Sequence, residues 1–487
     1  MRTKTFLGVA ILVGVLAASF FVYDGDQFHS GVKVAARTND PAAQNIFPAP
    51  GRTSYKMKLY LDTGEGMLYG QTNLSTVNTS IQSLHELWFT AYPNAFKDQG
   101  HTPAPASAYY GGFDPGWMKF RAITVNGHKA GFTEQGVSVR VNLPQSLNPG
   151  AKLNILIEWE AKIPRAAYRY GNNRSVYMLG NFYPALNLLD KDGWHNSVNS
   201  VFGDPFCFPC ADYQVEVNIP EDYLLVSTGT RQETIADDTG RQTCLIQAPN
   251  ARDFCMAVVY DYSETSISSQ NTLLRCYAPS GDSQTARRVL EQSRDIFNYY
   301  ACTFGSYPYK EFKIVFVPME GFHGMEYSGV IFLRAEFLSS GQDQHQNEFL
   351  LAHEIAHQWW YSVVGNDQVK EPWLDEGLAN WSAYKYLEDR KGQSPPPEAF
   401  NTKGVKLTRE LQEIYSAQDY YQTAYSGGEA FWFGLEKELG SDQVVKVLRK
   451  YYADFRYAIA TTDDLKYCIK VEARRDMEAY FQCWFGN

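Results

Sequence analysis

A His-Glu-x-x-His sequence inside a strongly apolar, helix-like segment constrains this 487-residue chain more than any other feature. His353 and His357 stand four residues apart, so a helix presents both imidazoles on one face, one turn apart. Two neutral imidazole nitrogens in this arrangement can reach one zinc ion at about 2.0–2.1 Å. Glu354 follows the first histidine and can accept a proton from a water at the open position of the metal. The motif therefore predicts a zinc site on a helix.

The third protein ligand is expected from another element, because a catalytic zinc usually has three protein ligands and keeps one position for water. Glu376 is the best candidate, because it lies nineteen residues after His357 at the start of the next predicted helix. A turn after Val364-Gly365 brings that helix antiparallel to the first one. The sequence thus predicts one Zn²⁺ held by two histidines and Glu376. The adjacent Asp375 either orients a ligand or only complements the helix dipole.

The first half of the chain contains many short runs typical of β-strands, separated by turn signals such as Pro-Gly, Asn-Gly and Asp-Asp. Many strands without intervening helices predict an antiparallel β-sandwich or curled sheet. We expect this β domain to cover residues 52–262. The predicted strands are 55–61, 67–74, 87–91, 137–141, 153–159, 213–219, 223–227 and 254–260.

The pattern changes to long helical periods after about residue 263. Residues 263–487 therefore predict a mainly helical catalytic domain, and the whole chain is expected to be of the α+β class. The expected elements are a strand over 312–317 and helices over 283–303, 346–364, 374–389, 429–439, 441–452 and 462–485.

The first residues resemble an export signal. Arg2 and Lys4 precede an apolar run over 6–23, and Asp24 and Asp26 follow it. This charge asymmetry predicts an N-terminus inside the cell and a body outside the cytoplasm. The apolar run is nearly long enough to span a bilayer, which needs about 20 residues.

Two readings of this segment remain open. In the first, residues 1–25 form a retained signal-anchor, which holds the protein to the membrane through a single helix. In the second, a signal peptide is cut near Ala17 or Ala18 and the body is secreted. A polar, proline-containing stretch over 26–51 predicts a linker to the β domain.

Eight cysteines, an even number, predict disulfide bonds in an exported chain. Their connectivity stays open, and near neighbours are the simplest pairs: Cys244 with Cys255, and Cys468 with Cys483. The Cys207–Cys210 pair has the spacing of a redox or zinc motif. It has no second pair and no surrounding βαβ pattern, so structural cystines or unreactive thiols are the alternative.

The charge balance excludes one class of partner. Lys and Arg number 44 and Asp and Glu number 54, which gives a net charge of 44 − 54 = −10. Binding to nucleic acid needs clustered basic residues, so we expect no nucleic-acid partner.

The metal motif and its surroundings resemble the gluzincin zinc aminopeptidases, the family of aminopeptidase N and leukotriene A hydrolase. The shared pattern is His-Glu-x-x-His, eighteen residues and a glutamate, preceded by stretches at 305–309, 312–318 and 321–327. The likeness covers roughly 52–487 and is strong from about 305 to 435. It implies a thermolysin-like catalytic domain after a β-sandwich or saddle domain. It also implies a zinc-dependent aminopeptidase that acts on peptides with a free N-terminus.

The resemblance also assigns substrate contacts. Glu326 matches the glutamate that binds the α-amino group of the substrate, and Gly324 and Met325 match backbone contacts to the substrate. A carboxylate beside the metal can pair with an ammonium, which selects an exposed N-terminus. The match departs from the family at two positions, where His323 replaces a glycine and Tyr327 replaces an asparagine.

Tyr425 matches the family tyrosine whose hydroxyl stabilises the oxyanion of the tetrahedral intermediate. Gly427 stands where the family has a lysine, whereas the following Gly428 is retained. Tyr420 and Tyr421 are nearby rivals for the same role.

Two other classes of function remain as alternatives. One is a zinc endopeptidase or another zinc hydrolase of the same fold, which has no use for an ammonium-binding Glu326. The other is a catalytically silent binding protein, which the retention of the complete metal motif argues against. The chain ends shortly after its last predicted helices, so we expect no long C-terminal helical domain. The sequence indicates neither the preferred N-terminal residue nor the oligomeric state.

Overall fold

Alternating burial along the strands explains the architecture of the N-terminal half. In β1 (Ser54–Asp62) every second side chain is buried, and β2 (Met67–Val77) continues the alternation on the neighbouring strand. Such a period of two leaves one face of a sheet to pack on a core. This computed structural model describes residues 52–338, 344–396, 399 and 407–486.

The N-terminal half forms several sheets. The largest has eight strands in the order β16-β17-β14-β1-β2-β8-β4-β5, in which only β1 and β14 pair in parallel. Four-stranded sheets follow the orders β15-β18-β10-β9 and β11-β3-β7-β6, and β12 pairs with β13. The remaining strands of this half are β3 (Leu84–Thr90), β4 (Trp117–Val125), β5 (His128–Lys129), β6 (Phe132–Gln135), β7 (Ser138–Leu147), β8 (Lys152–Lys162), β9 (Tyr170–Asn173), β10 (Val176–Leu179), β11 (Ala185–Leu186), β12 (Leu188–Asp190), β13 (Gly193–His195), β14 (Ala211–Pro220), β15 (Tyr223–Ser227), β16 (Thr230–Ala236), β17 (Arg241–Ala251) and β18 (Met256–Tyr260).

The C-terminal half combines one sheet with helices. The sheet is mixed, in the order β19-β20-β21-β23-β22, and both edge strands, β19 and β22, are antiparallel to their neighbours. Its strands are β19 (Tyr262–Ser269), β20 (Thr272–Pro279), β21 (Glu311–Val317), β22 (Gly324–Tyr327) and β23 (Val330–Arg334). The helices are α1 (Ser283–Thr303), α2 (Gln344–Ala356), α3 (Trp373–Lys391), α4 (Ala417–Tyr420), α5 (Gly428–Leu439), α6 (Ser441–Asp454), α7 (Thr462–Ala473) and α8 (Glu478–Phe485), and a π-helical turn, Tyr421–Gly427, joins α4 to α5.

These elements confirm the predicted α+β class, with a β-rich part first and a mainly helical part after it. The β-rich part and the helical part each have their own apolar core. A third core joins them, because side chains of β10, β15 and β18 pack with those of β21, β22 and β23. All described residues from 52 onward belong to one compact unit. The domain division near residue 262, where β18 gives way to β19, therefore stays a prediction.

The predicted helix over 346–364 is wrong at its C-terminal end, because α2 ends at Ala356. The chain turns at Tyr361, whose φ of +138° is costly for a residue with a side chain. Arg252 donates from Nε to the Tyr361 carbonyl at 2.6 Å, and the Tyr361 hydroxyl donates to Asp253 Oδ2 at 2.5 Å. Both partners come from the β-rich half. Local periodicity could not reveal a break that distant residues stabilise.

The predicted helix over 462–485 is also wrong, because the structure has α7 and α8 in its place. Thr461 caps α7 with a capping box that Asp464 completes, as the local sequence suggests. Arg474 then adopts a left-handed conformation at the end of α7, and Met477 is buried in the turn. Burial of this methionine in the core favours the interruption over a continuous helix.

The predicted disulfide bonds are not formed, because all eight cysteines are free. Cys244 lies in β17 of the eight-stranded sheet, whereas Cys255 directly precedes β18 of another sheet. Cys468 is buried in α7, and Cys483 is exposed on α8. A disulfide needs Cβ atoms at about 3.5–4.5 Å, whereas the first predicted pair lies at strands of different sheets and the second joins a buried and an exposed position.

The predicted signal-anchor over 1–25 and the linker over 26–51 lie outside the described residues. Across the described residues, no helix combines the length and apolar character needed to cross a membrane.

A close backbone contact between α3 and α5 provides the first testable prediction. A Cβ added to Gly428 lies 2.5 Å from the Gly377 Cα, nearer than packed atoms allow. We expect Gly428→Ala to lower the free energy of unfolding by about 1–3 kcal/mol, because the clash outweighs the higher helix propensity of alanine. Chemical denaturation measures this change. Gly281→Ala is the matched control, because no atom lies within 4 Å of its added Cβ. An unchanged stability of Gly428→Ala contradicts the contact.

Candidate metal centre

Three side chains from α2, the turn after it and α3 meet in the interior of the helical part. The His353 and His357 Nε2 atoms lie 3.1 Å apart. Glu376 Oε2 lies 3.3 Å from the first nitrogen and 3.5 Å from the second. All three side chains are buried. The structure therefore brings together the three residues that the sequence predicts as ligands.

The spacing of these atoms fits a bound zinc ion. Ligands at about 2.0–2.1 Å from a tetrahedral zinc are about 3.3 Å from one another, which the three separations bracket. Glu376 Oε2 is buried and accepts no hydrogen bond from the described residues. A buried carboxylate oxygen without a donor is costly, and a cation between it and the two nitrogens removes that cost.

A backbone carbonyl fixes the orientation of the second histidine. His357 Nδ1 lies 3.0 Å from the Trp360 carbonyl oxygen, so this nitrogen is the donor and Nε2 is the one that faces the other two ligands. The carbonyl can turn back to the ring because α2 ends at Ala356. The helix end that the sequence analysis missed is thus part of the site.

The side chain next to His357 attaches this segment to the sheet. Gln358 donates from Nε2 to the Tyr327 carbonyl at 3.0 Å, and its Oε1 accepts from the Gly329 amide at 2.9 Å. Both partners belong to the β22–β23 hairpin or its turn. The hairpin that carries Glu326 is therefore fixed relative to the metal ligands.

Two tyrosines hold the outer oxygen of the glutamate ligand. Tyr425 donates its hydroxyl to Glu376 Oε1 at 2.7 Å, and Tyr420 approaches the same oxygen at 3.4 Å. The Tyr425 ring stacks on His353, with centroids 5.8 Å apart. The predicted oxyanion donor is therefore next to the metal position, whereas its rival Tyr421 is exposed.

The loop between α2 and α3 binds Asp375, which directly precedes the glutamate ligand in the chain. Asp375 accepts hydrogen bonds from Asn366 Nδ2 at 3.0 Å and Gln368 Nε2 at 2.8 Å. Burial is the main cause that raises the Asp375 pKa to about 7. Its carboxylate is thus held by two amides of the loop. The polar run 366–368 between two apolar helices was the sequence signal for these contacts.

Glu354 lies close to the backbone of the sheet. A Cβ added to Gly324 lies 2.2 Å from the Glu354 carboxyl carbon, so only glycine leaves room for this side chain. Burial raises the pKa of Glu354 to about 8, although His357 opposes the shift. A carboxyl group with a pKa near neutrality is suited to accepting and returning a proton.

Glu326 and Met325 are buried on the edge strand β22. Ligand atoms of Glu326, His357 and Asp375 lie within 4.8 Å of one another. Gln368 Nε2, which also binds Asp375, lies 3.5 Å from Glu326 Oε1. Burial, and next Asp204, raise the pKa of Glu326 well above its usual value.

The sequence analysis missed the residues that surround this carboxylate. Asp204 is buried and pairs with the buried Arg169, whose guanidinium also lies over the Phe322 ring. Their sequence neighbourhood has no motif spacing, so only the fold could reveal them.

The charges around the ligands favour a cation. Burial lowers the pKa of His353 and so keeps its ring neutral. Burial acts in the same direction on His357, but Glu326 and Glu376 outweigh it and raise the His357 pKa well above its usual value. Burial opposes ionisation of Glu376, but the nearby imidazoles of His353 and His357 lower its pKa. The carboxylates thus attract positive charge to the position that zinc takes in such sites.

A His-Glu-x-x-His helix facing a glutamate on the next helix defines a gluzincin-type metal centre. Residues 288–484 match the model of the Peptidase family M1 domain. This range contains the three predicted ligands, Glu354, Glu326 and Tyr425. The helical part of the chain therefore matches the peptidase family M1 domain, which confirms the resemblance drawn from the sequence. One zinc ion is the cofactor that this family and the ligand set imply.

Relatives of this chain include named aminopeptidases. Aminopeptidase M1-B of Oryza sativa subsp. japonica is 24% identical over 319 residues, which cover 57% of this chain and 35% of the relative. Tricorn protease-interacting factor F2 of Thermoplasma acidophilum is 26% identical over 218 residues, 41% of this chain and 28% of the relative. The chain thus spans about a third of the length of the curated relatives that it matches.

The fold is similar to that of a solved structure. An M1 zinc metallopeptidase from Deinococcus radiodurans aligns with a TM-score of 0.62 and 17% identity. The alignment covers 91% of this chain and 96% of that one. This likeness shows the fold, in which a β-rich part precedes a helical catalytic part.

Metal analysis tests the candidate centre. We expect one zinc per chain, and about 2.7 kcal/mol of added stability when free zinc is at 100 times its dissociation constant. His357→Gln should lose the zinc and the added stability, because it removes one of the three protein ligands. Elemental analysis and thermal denaturation measure the two effects. His101→Gln is the control, because His101 pairs with Asp98 on the surface. Full zinc content in His357→Gln contradicts this ligand set.

Proposed function

We propose that this protein is a zinc-dependent aminopeptidase that hydrolyses the N-terminal peptide bond of peptides. The observation that carries the proposal is the buried Glu326 carboxylate beside the metal ligands. Among the ion pairs of the described residues, none neutralises Glu326. A buried carboxylate without a cationic partner is costly, so an ammonium group of a ligand is a favourable partner.

Each residue of the centre has a role in this proposal. Zinc held by His353, His357 and Glu376 would supply Lewis-acid activation of water and of the scissile carbonyl. Glu354 accepts the proton of the attacking water and returns it to the leaving amine.

The remaining contacts bind the substrate. Tyr425 stabilises the oxyanion. To do so, its hydroxyl gives up the hydrogen bond to Glu376 and donates one to the substrate instead. Glu326 binds the α-ammonium, and the strand backbone at Gly324 and Met325 lines the substrate. A clamp on the ammonium places the first peptide bond at the metal and so limits cleavage to one residue.

A comparison of free and blocked substrates tests this proposal. We expect aminoacyl fluorogenic amides to be hydrolysed by the zinc-loaded protein and their N-acetylated forms to be inert. In Glu326→Gln, kcat/KM for the free amines should fall by about 100-fold, because truncating one partner of a buried charge pair costs about 2–5 kcal/mol. A chelator should abolish the remaining hydrolysis.

Glu320→Gln is the matched control in this experiment, because Glu320 is a partly exposed carboxylate near Glu326 that pairs with Arg334. It should retain wild-type kcat/KM. Equal hydrolysis of free and acetylated amides would favour an endopeptidase. Zinc binding without hydrolysis of either would favour another hydrolase or a binding protein.

We also propose that the body of the protein works outside the cytoplasm, held to the membrane by the apolar segment 6–23. Basic residues before this segment and acidic residues after it support the orientation. Secretion after signal cleavage is the alternative.

A reporter fusion tests this location. Residues 1–51 are fused to alkaline phosphatase, which is active only after export from the cytoplasm. We expect an active reporter in the membrane fraction, and loss of activity in Leu12→Arg, because a central charge disfavours insertion by about 2.5–3.5 kcal/mol. An active soluble reporter would instead indicate cleavage, and an inactive wild-type reporter would contradict export.

A further inference from the structure

A histidine between two carboxylates lies outside the metal centre. His195 Nδ1 lies 2.5 Å from Asp367 Oδ2, and His195 Nε2 lies 2.9 Å from Asp190 Oδ2. The side chains of His195 and Asp367 are 8% and 7% exposed. The pair of His195 and Asp367 is therefore largely shielded from water, whereas a solvated surface pair would contribute little to stability. The predicted function assigns no role to it.

The two carboxylates come from different parts of the fold. Asp190 ends β12, and His195 ends β13 of the same two-stranded hairpin in the β-rich half. Asp367 belongs to the loop between α2 and α3, which are the helices of the metal centre. The histidine therefore links a hairpin of the β-rich half to the loop behind the metal ligands.

The surroundings of the ring favour its protonated form. The hydrogen bond to Asp367 is the main cause that raises the pKa of His195, and Asp190 adds to it. Lys370 and the Cys207 thiol are the other titratable groups nearby. An imidazolium binds Asp367 through its Nδ1 donor and attracts the Asp190 carboxylate by charge, without a hydrogen bond from Nε2.

The same neighbours make a second metal site a weaker interpretation. Ligand atoms of His195, Cys207 and Asp367 do lie within 4.8 Å of one another. However, Asp367 Oδ2 already lies 2.5 Å from Nδ1 and Asp190 Oδ2 lies 2.9 Å from Nε2, so each nitrogen has an acidic neighbour in place of a metal. Burial also raises the Cys207 pKa well above its usual value, which keeps the thiol protonated.

Asp367 connects His195 to the backbone of the loop. Its Oδ1 accepts from the amides of Val369 at 3.0 Å and Lys370 at 3.2 Å. These two bonds close a turn that contains Gln368, whose side chain reaches Asp375 and Glu326. The conformation of the loop at Gln368 thus depends on the carboxylate that His195 holds.

Gln368 connects this link to the proposed ammonium site. Its Nε2 donates to Asp375 Oδ2 at 2.8 Å and lies 3.5 Å from Glu326 Oε1. One amide nitrogen has two hydrogens, so it can serve both carboxylates. A displaced loop would remove the donor that orients Glu326.

We propose that His195 is a positioning residue for recognition of the substrate N-terminus, acting through Asp367 and Gln368 on Glu326. This inference rests on the proposed aminopeptidase function. It predicts an effect on binding of the ammonium group that leaves the metal ligands and the proton transfer by Glu354 intact.

Two zinc-binding inhibitors that differ only in the amino group isolate this effect. Leucine hydroxamate has the α-amino group, and isocaproyl hydroxamate lacks it. The inhibition constant of isocaproyl hydroxamate divided by that of leucine hydroxamate measures the ammonium contact, because the side chain and the zinc-binding group are the same in both. In His195→Gln we expect this ratio to fall by about tenfold, at the lower end of the effects of residues that orient a ligand. KM for free-amine substrates should rise while kcat stays within about twofold.

Two variants keep the test independent of a folding defect. Asp190→Asn removes one charge at the more exposed end of the link and should lower the ratio in the same direction but less. His101→Gln alters a surface histidine that also pairs with an aspartate, and it should leave the ratio unchanged. Thermal denaturation and zinc content are measured for each variant.

The outcomes separate the inference from the function on which it rests. A wild-type protein that binds both hydroxamates equally has no ammonium site, and both proposals fall. A wild-type protein that discriminates, with the same ratio in His195→Gln, overturns the inference alone. A wild-type content of two zinc ions that falls to one in His195→Gln also overturns it, because a metal would then form the link. A lower ratio at unchanged zinc content supports it.

Discussion

The convergence of two imidazoles and one carboxylate in a buried space is the constraint on which the rest of the structure depends. The ligand atoms of His353, His357 and Glu376 lie 3.1, 3.3 and 3.5 Å apart, and Glu376 Oε2 has no hydrogen-bond donor among the described residues. Such an arrangement is unfavourable without a cation. The elements around it therefore serve to hold the three atoms close and to keep water out.

Glycine makes this closeness possible at two places. Gly324 lets the edge strand approach the carboxyl group of Glu354, and a Cβ there would lie 2.2 Å from it. Gly377 and Gly428 let α3 and α5 meet backbone to backbone, which brings Tyr425 to the outer oxygen of Glu376. In both cases the glycine is required because a Cβ atom would block a close approach of the main chain.

The sequence predicts best what local residues determine. Helix α1 has the predicted bounds, Ser283–Thr303, because its apolar period and its ends are local. The predicted end of the α2 helix was wrong, because Arg252 and Asp253 stabilise the turn at Tyr361 from another part of the chain. The predicted disulfides failed for a similar reason, since neighbours in sequence such as Cys244 and Cys255 lie at strands of different sheets.

The sequence by itself determined the candidate metal ligands, the proposed general base and the α+β class. A four-residue spacing on a helix, a glutamate at the start of the next helix and periods of two or 3.6 are properties of neighbouring residues. Only the tertiary structure decided how the ligands are oriented and supported. The Trp360 carbonyl at His357, the Gln368 amide beside Glu326 and the pairing of His195 with Asp367 all need a folded chain. They depend on contacts between segments that are far apart in sequence, which no local pattern encodes.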